Sequence, residues 1–223
     1  MTFDWDHNAF YHRLVIRELP PQCRRVLDVG CGAGALAARL AARADCVDAL
    51  DRSPVMIEAA RRVVGDNVTC LLGDIRDHPL PAQGYDAIVS VAVLHHLPAE
   101  QVVPSLVAAL RPGGVLIIVG LPALDLRRDW PVEVAAAVLN TMLGVLFVVL
   151  RTLTGGCWYA HEPTHDQMPV SLHAPLTMRQ MGEWGHRLLP GSRVRRLLFW
   201  RYLLVWHKPS TRTTHGYEEA PGQ

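Results

Sequence analysis

A carboxylate and three closely spaced glycines lie near the start of the chain, in the string Val26-Leu-Asp-Val-Gly-Cys-Gly-Ala-Gly34. Glycines at positions 30, 32 and 34 allow the backbone to turn tightly and to approach a ligand that any Cβ atom would push away. The apolar run before the turn predicts a strand, and the alanine-rich run after it predicts a helix. The free N–H groups at the start of that helix would point at the same ligand. The string therefore predicts a ligand-binding turn between a strand and a helix.

Two classes of cofactor fit this turn. The pattern Gly30-x-Gly32-x-x-Ala35 satisfies the fingerprint of dinucleotide-binding sites, and Asp51 lies at a suitable distance downstream for a carboxylate that binds a ribose hydroxyl. Asp28 favours another cofactor, because a carboxylate two residues ahead of the first glycine would repel a pyrophosphate. S-adenosylmethionine carries an ammonium and a sulfonium group, and both gain from a nearby negative charge. A nicotinamide-dependent oxidoreductase remains the alternative, although the chain has no obvious Tyr-x-x-x-Lys pair.

The string Leu27-Asp-Val-Gly-Cys-Gly-Ala-Gly34 resembles the first motif of the class I S-adenosylmethionine-dependent methyltransferases. Later strings resemble further motifs in the family's order: Ala49-Leu-Asp-Arg-Ser-Pro54, Gly73-Asp74-Ile75, the fourth-strand string at 85–97, and Leu110-Arg-Pro-Gly-Gly114. Together they cover roughly residues 25 to 120. The likeness is closest to the bacterial branch that methylates small metabolites, of which Leu94-His-His-Leu97 is typical. The resemblance implies S-adenosylmethionine as the cofactor and methyl transfer as the reaction.

The resemblance also implies a role for several side chains. Asp51 would bind both ribose hydroxyls, since a carboxylate can accept from a vicinal diol with both oxygens. Asp74 would accept from the adenine amine, and Ile75 would pack on the adenine ring. The implied cofactor site consists of Asp28, Gly30, Cys31, Gly32, Gly34, Asp51, Arg52, Asp74, Ile75 and Val91. The methyl acceptor would be an oxygen, nitrogen or carbon nucleophile of a small metabolite. A non-catalytic S-adenosylmethionine-binding protein is a second alternative, because the fold does not guarantee turnover.

Histidines are the natural candidates for a general base, which is needed only if the nucleophile must lose a proton. His95 and His96 follow the fourth predicted strand, at the edge of the sheet where open α/β folds bind their ligands. We favour His96 as the catalytic residue. His12, beside Tyr11 on the predicted N-terminal helix, is a second candidate.

A second group of histidines lies in the stretch 155–175, which we expect to form a loop that lines the substrate. His161 and His165 have a spacing found among metal ligands, but Pro163 between them disfavours a regular helix. No metal site is expected.

The elements that would position these residues alternate as strand and helix along the chain. Strands are predicted at residues 25–29, 46–51, 67–74, 85–91, 114–120, 193–200 and 202–208. Nearly continuous apolar runs are typical of parallel strands that are buried on both faces. The predicted fold class is α/β, a Rossmann-like, doubly wound sheet of about seven mostly parallel strands. A helical and loop insertion follows strand five in this prediction, and the C-terminal strand is antiparallel.

We predict a single methyltransferase domain from residue 1 to residue 208. It comprises an N-terminal helix at 8–19, a cofactor-binding core at 22–121, a substrate lid or insertion at 122–175, and a C-terminal helix and strand pair at 176–208. Residues 209–223 are polar, and we expect this tail to be disordered.

The segment 134–150 holds seventeen residues without a charge and is flanked by Arg127, Arg128 and Arg151. Its hydropathy raises the question of a membrane span, although about twenty residues are usually required. A span would separate the last two strands from the sheet that they must join, so no transmembrane span is predicted. We expect a helix that forms a wall or lid of the substrate pocket, which implies a lipophilic or aromatic substrate. Another face of this helix could contact a homodimer partner or a membrane surface.

Composition argues against several other functions. The 22 Lys and Arg residues nearly balance the 21 Asp and Glu residues, and no basic run resembles a nucleic-acid footprint. Arg193, Arg195, Arg196 and Arg201 alternate with apolar residues, which predicts the solvated face of a strand. The five cysteines include no Cys-x-x-Cys pair, so neither a disulfide framework nor a zinc site is expected. The N-terminus lacks the features of a signal peptide, and we expect a soluble, cytoplasmic enzyme.

Overall fold

A computed structural model describes residues 5–159 and 176–210. The strands are β1 (Arg25–Val29), β2 (Cys46–Asp51), β3 (Val68–Leu72), β4 (Tyr85–Val91), β5 (Leu110–Gly120), β6 (Arg193–Leu197) and β7 (Arg201–His207). The helices are α1 (His7–Arg17), α2 (Ala35–Leu40), α3 (Pro54–Arg61), α4 (Ala99–Ala109), α5 (Leu126–Thr154) and α6 (Met178–Leu188). A short 3₁₀ turn, Leu94–His96, follows β4.

The seven strands form one sheet in the order β3-β2-β1-β4-β5-β7-β6. Each neighbouring pair from β3 to β5 is parallel, whereas β7 runs antiparallel to both β5 and β6. The chain direction across the sheet reverses between β1 and β4, and ligands of open α/β sheets bind at such a switch point. The predicted fold class is confirmed, including the antiparallel C-terminal strand.

Both faces of the central strands are buried. Successive residues of a strand point to opposite faces, so the core divides into two clusters. Val26 and Val115 pack on the side covered by α1, α2 and α3. Leu27 and Leu116 pack on the side covered by α4 and α6. The near-continuous apolar runs of the sequence are thus explained by helices on both faces of a parallel sheet.

The predicted elements match the structure where the apolar pattern is unbroken. β1, β2 and β4 have the predicted bounds, and α3 begins at Pro54. The Ser53 hydroxyl caps this helix by accepting from the Met56 amide at 3.4 Å, and Pro54 occupies its first position. β5 begins at Leu110 instead of residue 114. The register between β4 and β5 shifts near Tyr85, and this irregularity extends the pairing across the Pro-Gly-Gly turn.

Two further boundaries that differ from prediction have a clear physical cause. The sixth predicted strand ends at Leu197, because Phe199 and Trp200 have φ angles of 56° and 59° and turn the chain into β7. α1 begins at His7, earlier than predicted, since the Asp6 carboxylate caps it by accepting from the first helical amides. The tail that was expected to be disordered lies outside the described residues from position 211 onward.

Helix α5 extends beyond the apolar segment from which it was predicted. Within the described ranges it is the one helix with the length and composition to cross a bilayer, with a mean hydropathy of 2.1 in its most apolar window. Its buried hydrophobic side chains are Ala136 and Phe147. We expected a helix of this composition to be covered, and the described part of the chain leaves most of it exposed.

The close contact between Gly120 on β5 and Tyr202 on β7 generates a stability prediction. A Cβ atom at Gly120 would lie 2.5 Å from the Tyr202 hydroxyl oxygen, and this position is buried. Gly120→Ala should therefore lower the free energy of unfolding by about 1–3 kcal/mol, as overpacked cores do. Urea denaturation followed by circular dichroism would measure it.

Gly182→Ala is the matched control, because a Cβ atom at this position of α6 meets nothing within 4 Å. There the same substitution should raise the free energy of unfolding by about 0.5–1 kcal/mol through helix propensity. Equal urea midpoints for the two variants would show that Tyr202 moves aside at no cost.

Candidate functional site

The carboxyl ends of β1, β2 and β4 meet at one edge of the sheet, and a cavity opens there. Its walls are the loops that follow these strands, the turn after β3 and the first part of α1. The cavity brings together every predicted site residue except Gly34: Asp28, Gly30, Cys31, Gly32, Asp51, Arg52, Asp74, Ile75 and Val91, with His12 and His96. Residues that are distant in sequence therefore share one site, because parallel strands end at the same edge.

The glycine loop after β1 is held against the end of β2. The amides of Gly30 and Cys31 both donate to the Leu50 carbonyl, at 2.8 and 3.0 Å. Gly30 and Gly32 have φ angles of 72° and 53°, in the left-handed region that favours glycine. A Cβ atom at Gly30 would lie 2.2 Å from a Val93 methyl carbon. Glycine is required here by both backbone conformation and the close approach of the segment after β4.

Gly34 differs from its prediction as a ligand-binding residue. It precedes α2 with a φ of 86°, and a Cβ atom there would lie 2.9 Å from the Cβ of Ala60 on α3. The residue does not line the cavity. Its place in the motif is explained by the packing of α2 and α3, which brings their backbones too close for a side chain.

Asp28 is the most deeply buried ionisable group of the site, with 1% of its surface exposed. One of its carboxylate oxygens, Oδ2, is buried and has no hydrogen-bond partner among the described residues. Burial raises the pKa of Asp28 to about 7, and the nearby charge of Asp51 contributes in the same direction. A buried polar atom without a partner is costly. A cation or N–H group of a ligand in the cavity would remove that cost.

Asp51 is oriented by two backbone amides. Its Oδ2 atom accepts from Gly32 at 2.9 Å, and its Oδ1 atom accepts from Ser53 at 2.8 Å. Each carboxylate oxygen has two lone pairs, so both can accept a further hydrogen bond from a ligand. Two hydroxyls on adjacent carbons are a suitable pair of donors.

Asp74 is paired with a side chain two residues away. Arg76 donates to both oxygens of this carboxylate, at 2.6 and 3.0 Å. These hydrogen bonds lower the pKa of Asp74 to about 2. The carboxylate stays ionised at neutral pH and can accept from an amine of a ligand. Ile75, the next residue, places an apolar side chain in the same wall of the cavity.

The two adjacent histidines occupy different environments. His96 lines the cavity, whereas His95 lies behind it, with the ring centroids 3.9 Å apart. Burial, the charge of His96 and that of Arg201 lower the pKa of His95 to about 4. Burial and the charge of Arg52 lower the pKa of His96. Both rings are therefore neutral at neutral pH, and His96 is the one that can accept a proton inside the cavity.

The first part of α1 also faces the cavity, through Asn8 and His12. His12 is buried, as a residue that closes over a ligand would be. Tyr11 has a different role. Its hydroxyl donates to the Leu198 carbonyl, so its side chain joins α1 to the turn between β6 and β7.

Sequence reasoning missed part of the lining. Asn8, Met56, Val93 and Leu97 line the cavity as well. Ala92 does so with a φ of 58°, which is unusual for a residue other than glycine. Asn8 could have been predicted, because Asp6 caps α1 and so places Asn8 in the first turn of this helix. The apolar residues carry no such signal, because their types are equally typical of the core.

Other predictions for site residues have mixed outcomes. No described residue of α5 lines the cavity, so the expected wall or lid is not formed by this helix in the described chain. The residues from 160 to 175, including His161 and His165, lie outside the described ranges. Elsewhere in the structure, no group of three or more His, Cys, Asp or Glu side chains is placed to hold a metal ion.

The four arginines predicted on a solvated strand face do not share one environment. The side chains of Arg193 and Arg195 are exposed, whereas Arg196 is paired with Asp129 on α5. The Arg201 guanidinium donates to the Asn8 side chain at 3.1 and 3.2 Å, and burial lowers its pKa. The prediction is wrong for Arg196 and Arg201, because α5 and α1 cover these positions.

The arrangement fits a ligand that places a cation beside Asp28, a vicinal diol beside Asp51 and an amine-bearing ring beside Asp74 and Ile75. S-adenosylmethionine has this distribution of groups. The cavity therefore matches the cofactor that the glycine motif implied.

Comparison with known proteins gives the same assignment. Residues 26–114 match the profile of a family described as a methyltransferase domain. The chain is 34% identical over 214 residues to an uncharacterized methyltransferase of Mycobacterium tuberculosis, an alignment that covers 94% of this chain and 100% of the relative.

Solved structures share the fold. A SAM-dependent methyltransferase from Aquifex aeolicus superposes with a TM-score of 0.55 at 18% identity, over 88% of each chain. The complex of DhpI with SAH gives a TM-score of 0.55 at 22% identity, over 84% of this chain and 78% of the other. The relationship in sequence decides between the two cofactors that the glycine turn left open: the chain belongs to the class I S-adenosylmethionine-dependent methyltransferases.

Proposed function

We propose that the protein transfers a methyl group from S-adenosylmethionine to an oxygen, nitrogen or carbon nucleophile of a small, lipophilic or aromatic metabolite. One observation carries this proposal. The cavity that Asp28 lines is also lined by the neutral His96 and by Met56, Val93 and Leu97. An uncharged, apolar acceptor suits such a lining.

We assign the cofactor contacts as follows. Asp28 would accept from the ammonium of the methionine portion, Asp51 from the ribose hydroxyls and Asp74 from the adenine amine. Cys31, Arg52, Ile75 and Val91 would complete the walls around it. This assignment uses the polar atoms of the cavity that have spare acceptor capacity.

S-adenosylmethionine supplies an activated methyl group, so the protein mainly contributes position, alignment and exclusion of water. The clamped glycine loop fixes the shape of the cavity before any ligand enters. His96 is exposed beside the apolar side chains of Val93 and Leu97, so a bound acceptor would have to shield the reacting atoms from water. His96 can take the proton of an acceptor that must lose one, because its lowered pKa leaves the ring neutral.

We further propose that the protein works in a reducing compartment such as the cytoplasm. The five cysteines are all free in the structure, and Cys157 is exposed. Free, exposed thiols are typical of proteins that stay in reducing surroundings.

A panel of methyl acceptors tests the proposed activity. The protein is incubated with S-adenosylmethionine and with phenols, quinols, amines or carboxylic acids, and release of S-adenosylhomocysteine is measured. Turnover of apolar phenols or quinols supports the proposal. Turnover restricted to highly charged acceptors contradicts the substrate class.

Asp51→Ala should weaken the binding of S-adenosylmethionine by roughly 1.5–3 kcal/mol, the scale for losing charged hydrogen bonds. Isothermal titration calorimetry would measure the change. Asp66→Ala is a suitable control, since Asp66 is exposed and does not line the cavity. Unchanged affinity in a folded Asp51→Ala variant would remove Asp51 from the cofactor site.

Asp28→Asn should have opposite effects on stability and on cofactor binding. Burial raises the pKa of Asp28 from 3.8 to about 7. Between these values the folded protein keeps a proton that the unfolded chain releases, so the stability of the wild type falls as pH rises. Without cofactor, the variant should therefore be more stable than wild type at about pH 8, by on the order of 1–4 kcal/mol.

The gain in stability of Asp28→Asn should vanish at about pH 2.5, below both pKa values, where the wild-type carboxyl is protonated in the folded and the unfolded state. Urea denaturation at the two pH values measures this difference, and calorimetry at the higher pH should show weaker cofactor binding by the variant. A variant that is less stable than wild type at about pH 8 would show that Asp28 has a stabilising partner.

His96→Ala should lower turnover more than it lowers the affinity for S-adenosylmethionine, because the side chain is assigned to the acceptor. The expected loss in kcat is about 10²–10⁴-fold for an acceptor that must lose a proton. His95→Ala is the neighbouring control, since His95 does not line the cavity. If kcat is equal in wild type and in His96→Ala, His96 is not the base, and His12 becomes the candidate.

A further inference from the structure

Helix α5 is attached to the domain along one side only. On that side Asn140 accepts hydrogen bonds from Trp5 at 2.9 Å and from His7 at 2.8 Å. One turn from the start of the helix, Asp129 and Glu133 are both paired with Arg196. These polar contacts, with the buried Phe147, fix the helix along much of its length against α1 and the β6–β7 hairpin.

The opposite side of α5 is a mostly apolar surface, interrupted by the exposed Thr141 and Thr152, which we call the outer face. Its large side chains are between 38% and 78% exposed: Trp130, Val132, Val134, Val138, Leu139, Met142, Val145, Leu146, Val149 and Leu153. At about 100° per residue, they spread over roughly 200° of the helix circumference. Glu133, the one charged residue between Trp130 and Leu150, faces Arg196 on the attached side. Exposed apolar patches of this size mark interaction sites.

The width of the outer face distinguishes between the surfaces that could cover it. A partner helix from a second copy covers a stripe of about 100° in a typical pairing, so it would leave much of this face in water. The undescribed segment 160–175 supplies few large apolar side chains, namely Met168, Val170 and Leu172. A bilayer can cover a wider part of the helix surface, because the acyl chains surround the whole part of the helix that is inserted.

The ends of the outer face suit an anionic lipid surface. Arg127 and Arg128 are exposed at one end, whereas Arg151, near the other, is half-buried and donates to the Trp158 and Tyr159 carbonyls. Trp130 and Trp158, both exposed, lie near the same two ends. Tryptophan is enriched at the level of the lipid headgroups, and arginine is attracted to anionic headgroups.

We propose that α5 lies in the plane of an anionic lipid bilayer, with its outer face in the boundary between headgroups and acyl chains. In other interfacial helices a polar face stays in water; here the folded domain occupies that position. A span is incompatible with the contacts of Asn140 and Glu133, which hold the middle and the start of the helix against the domain. The proposal does not depend on the identity of the methyl acceptor.

The placement brings the cavity close to the lipid. Trp5 and His7 contact α5, while Asn8 and His12, on the same first turns of the chain, line the cavity. A lipophilic acceptor dissolved in the bilayer would meet the protein beside its active site.

Sedimentation with vesicles tests the proposal on the full chain. We expect the protein to bind vesicles of phosphatidylcholine and phosphatidylglycerol in equal parts, and to bind pure phosphatidylcholine vesicles more weakly. Val138→Asp, at the centre of the outer face and 54% exposed, should lower binding by about tenfold or more. Val63→Asp is the matched control, because Val63 is 56% exposed after α3, away from α5, and its variant should bind as wild type does.

Each outcome bears on the proposal. Loss of binding in Val138→Asp alone supports it, provided that calorimetry shows unchanged affinity for S-adenosylmethionine and so an intact cofactor site. Wild-type protein that stays in the supernatant overturns it. A stable dimer in analytical ultracentrifugation that Val138→Asp dissociates, without vesicle binding, would assign the outer face to a second copy. If the protein in the membrane fraction of cells is not released by alkaline carbonate, the in-plane placement is wrong.

Discussion

The hydrogen bond from the Gly32 amide to the Asp51 carboxylate joins the ends of β1 and β2, and the cofactor site is built around it. It fixes the glycine loop and the Asp51 carboxylate relative to each other with one contact. The bonds from Gly30 and Cys31 to the Leu50 carbonyl support the same junction. The loop is therefore held in one conformation against the end of β2.

The same junction concentrates negative charge. Asp28 and Asp51 both line the cavity, and burial together with the nearby charge of Asp51 disfavours ionisation of Asp28. Asp28 is shielded from water, and its Oδ2 atom has no hydrogen-bond partner among the described residues. Such a site binds by relieving a cost that the folded protein already carries. Stability of the empty protein and affinity for the cofactor are thus in opposition at this residue.

Much of the fold and most of the cofactor site could be predicted from the sequence, because both depend on local patterns. Apolar runs defined the strands, and glycines with carboxylates at strand ends defined the site. Gly34 does not line the cavity, and the sequence could not show this, since glycine serves ligand approach and helix packing equally well and only the position of Ala60 reveals the packing. Arg201 was misassigned because a strand pattern does not reveal that α1 covers it. The outer face of α5 was expected to be buried, since composition alone does not say what covers a helix.

Helix α1 connects two surfaces that have no direct contact in the described chain. Its N-terminal end is bonded to α5 through Trp5 and His7, and its next turns close one wall of the cavity. A shift of α1 would therefore change both its contacts with α5 and the wall of the cavity. Thermodynamic linkage makes such coupling reciprocal: if filling the cavity draws α1 inward and changes the hold of α5 on lipid, lipid attachment changes the affinity of the cavity by the same factor. Helix α1 would then couple membrane attachment to methyl transfer.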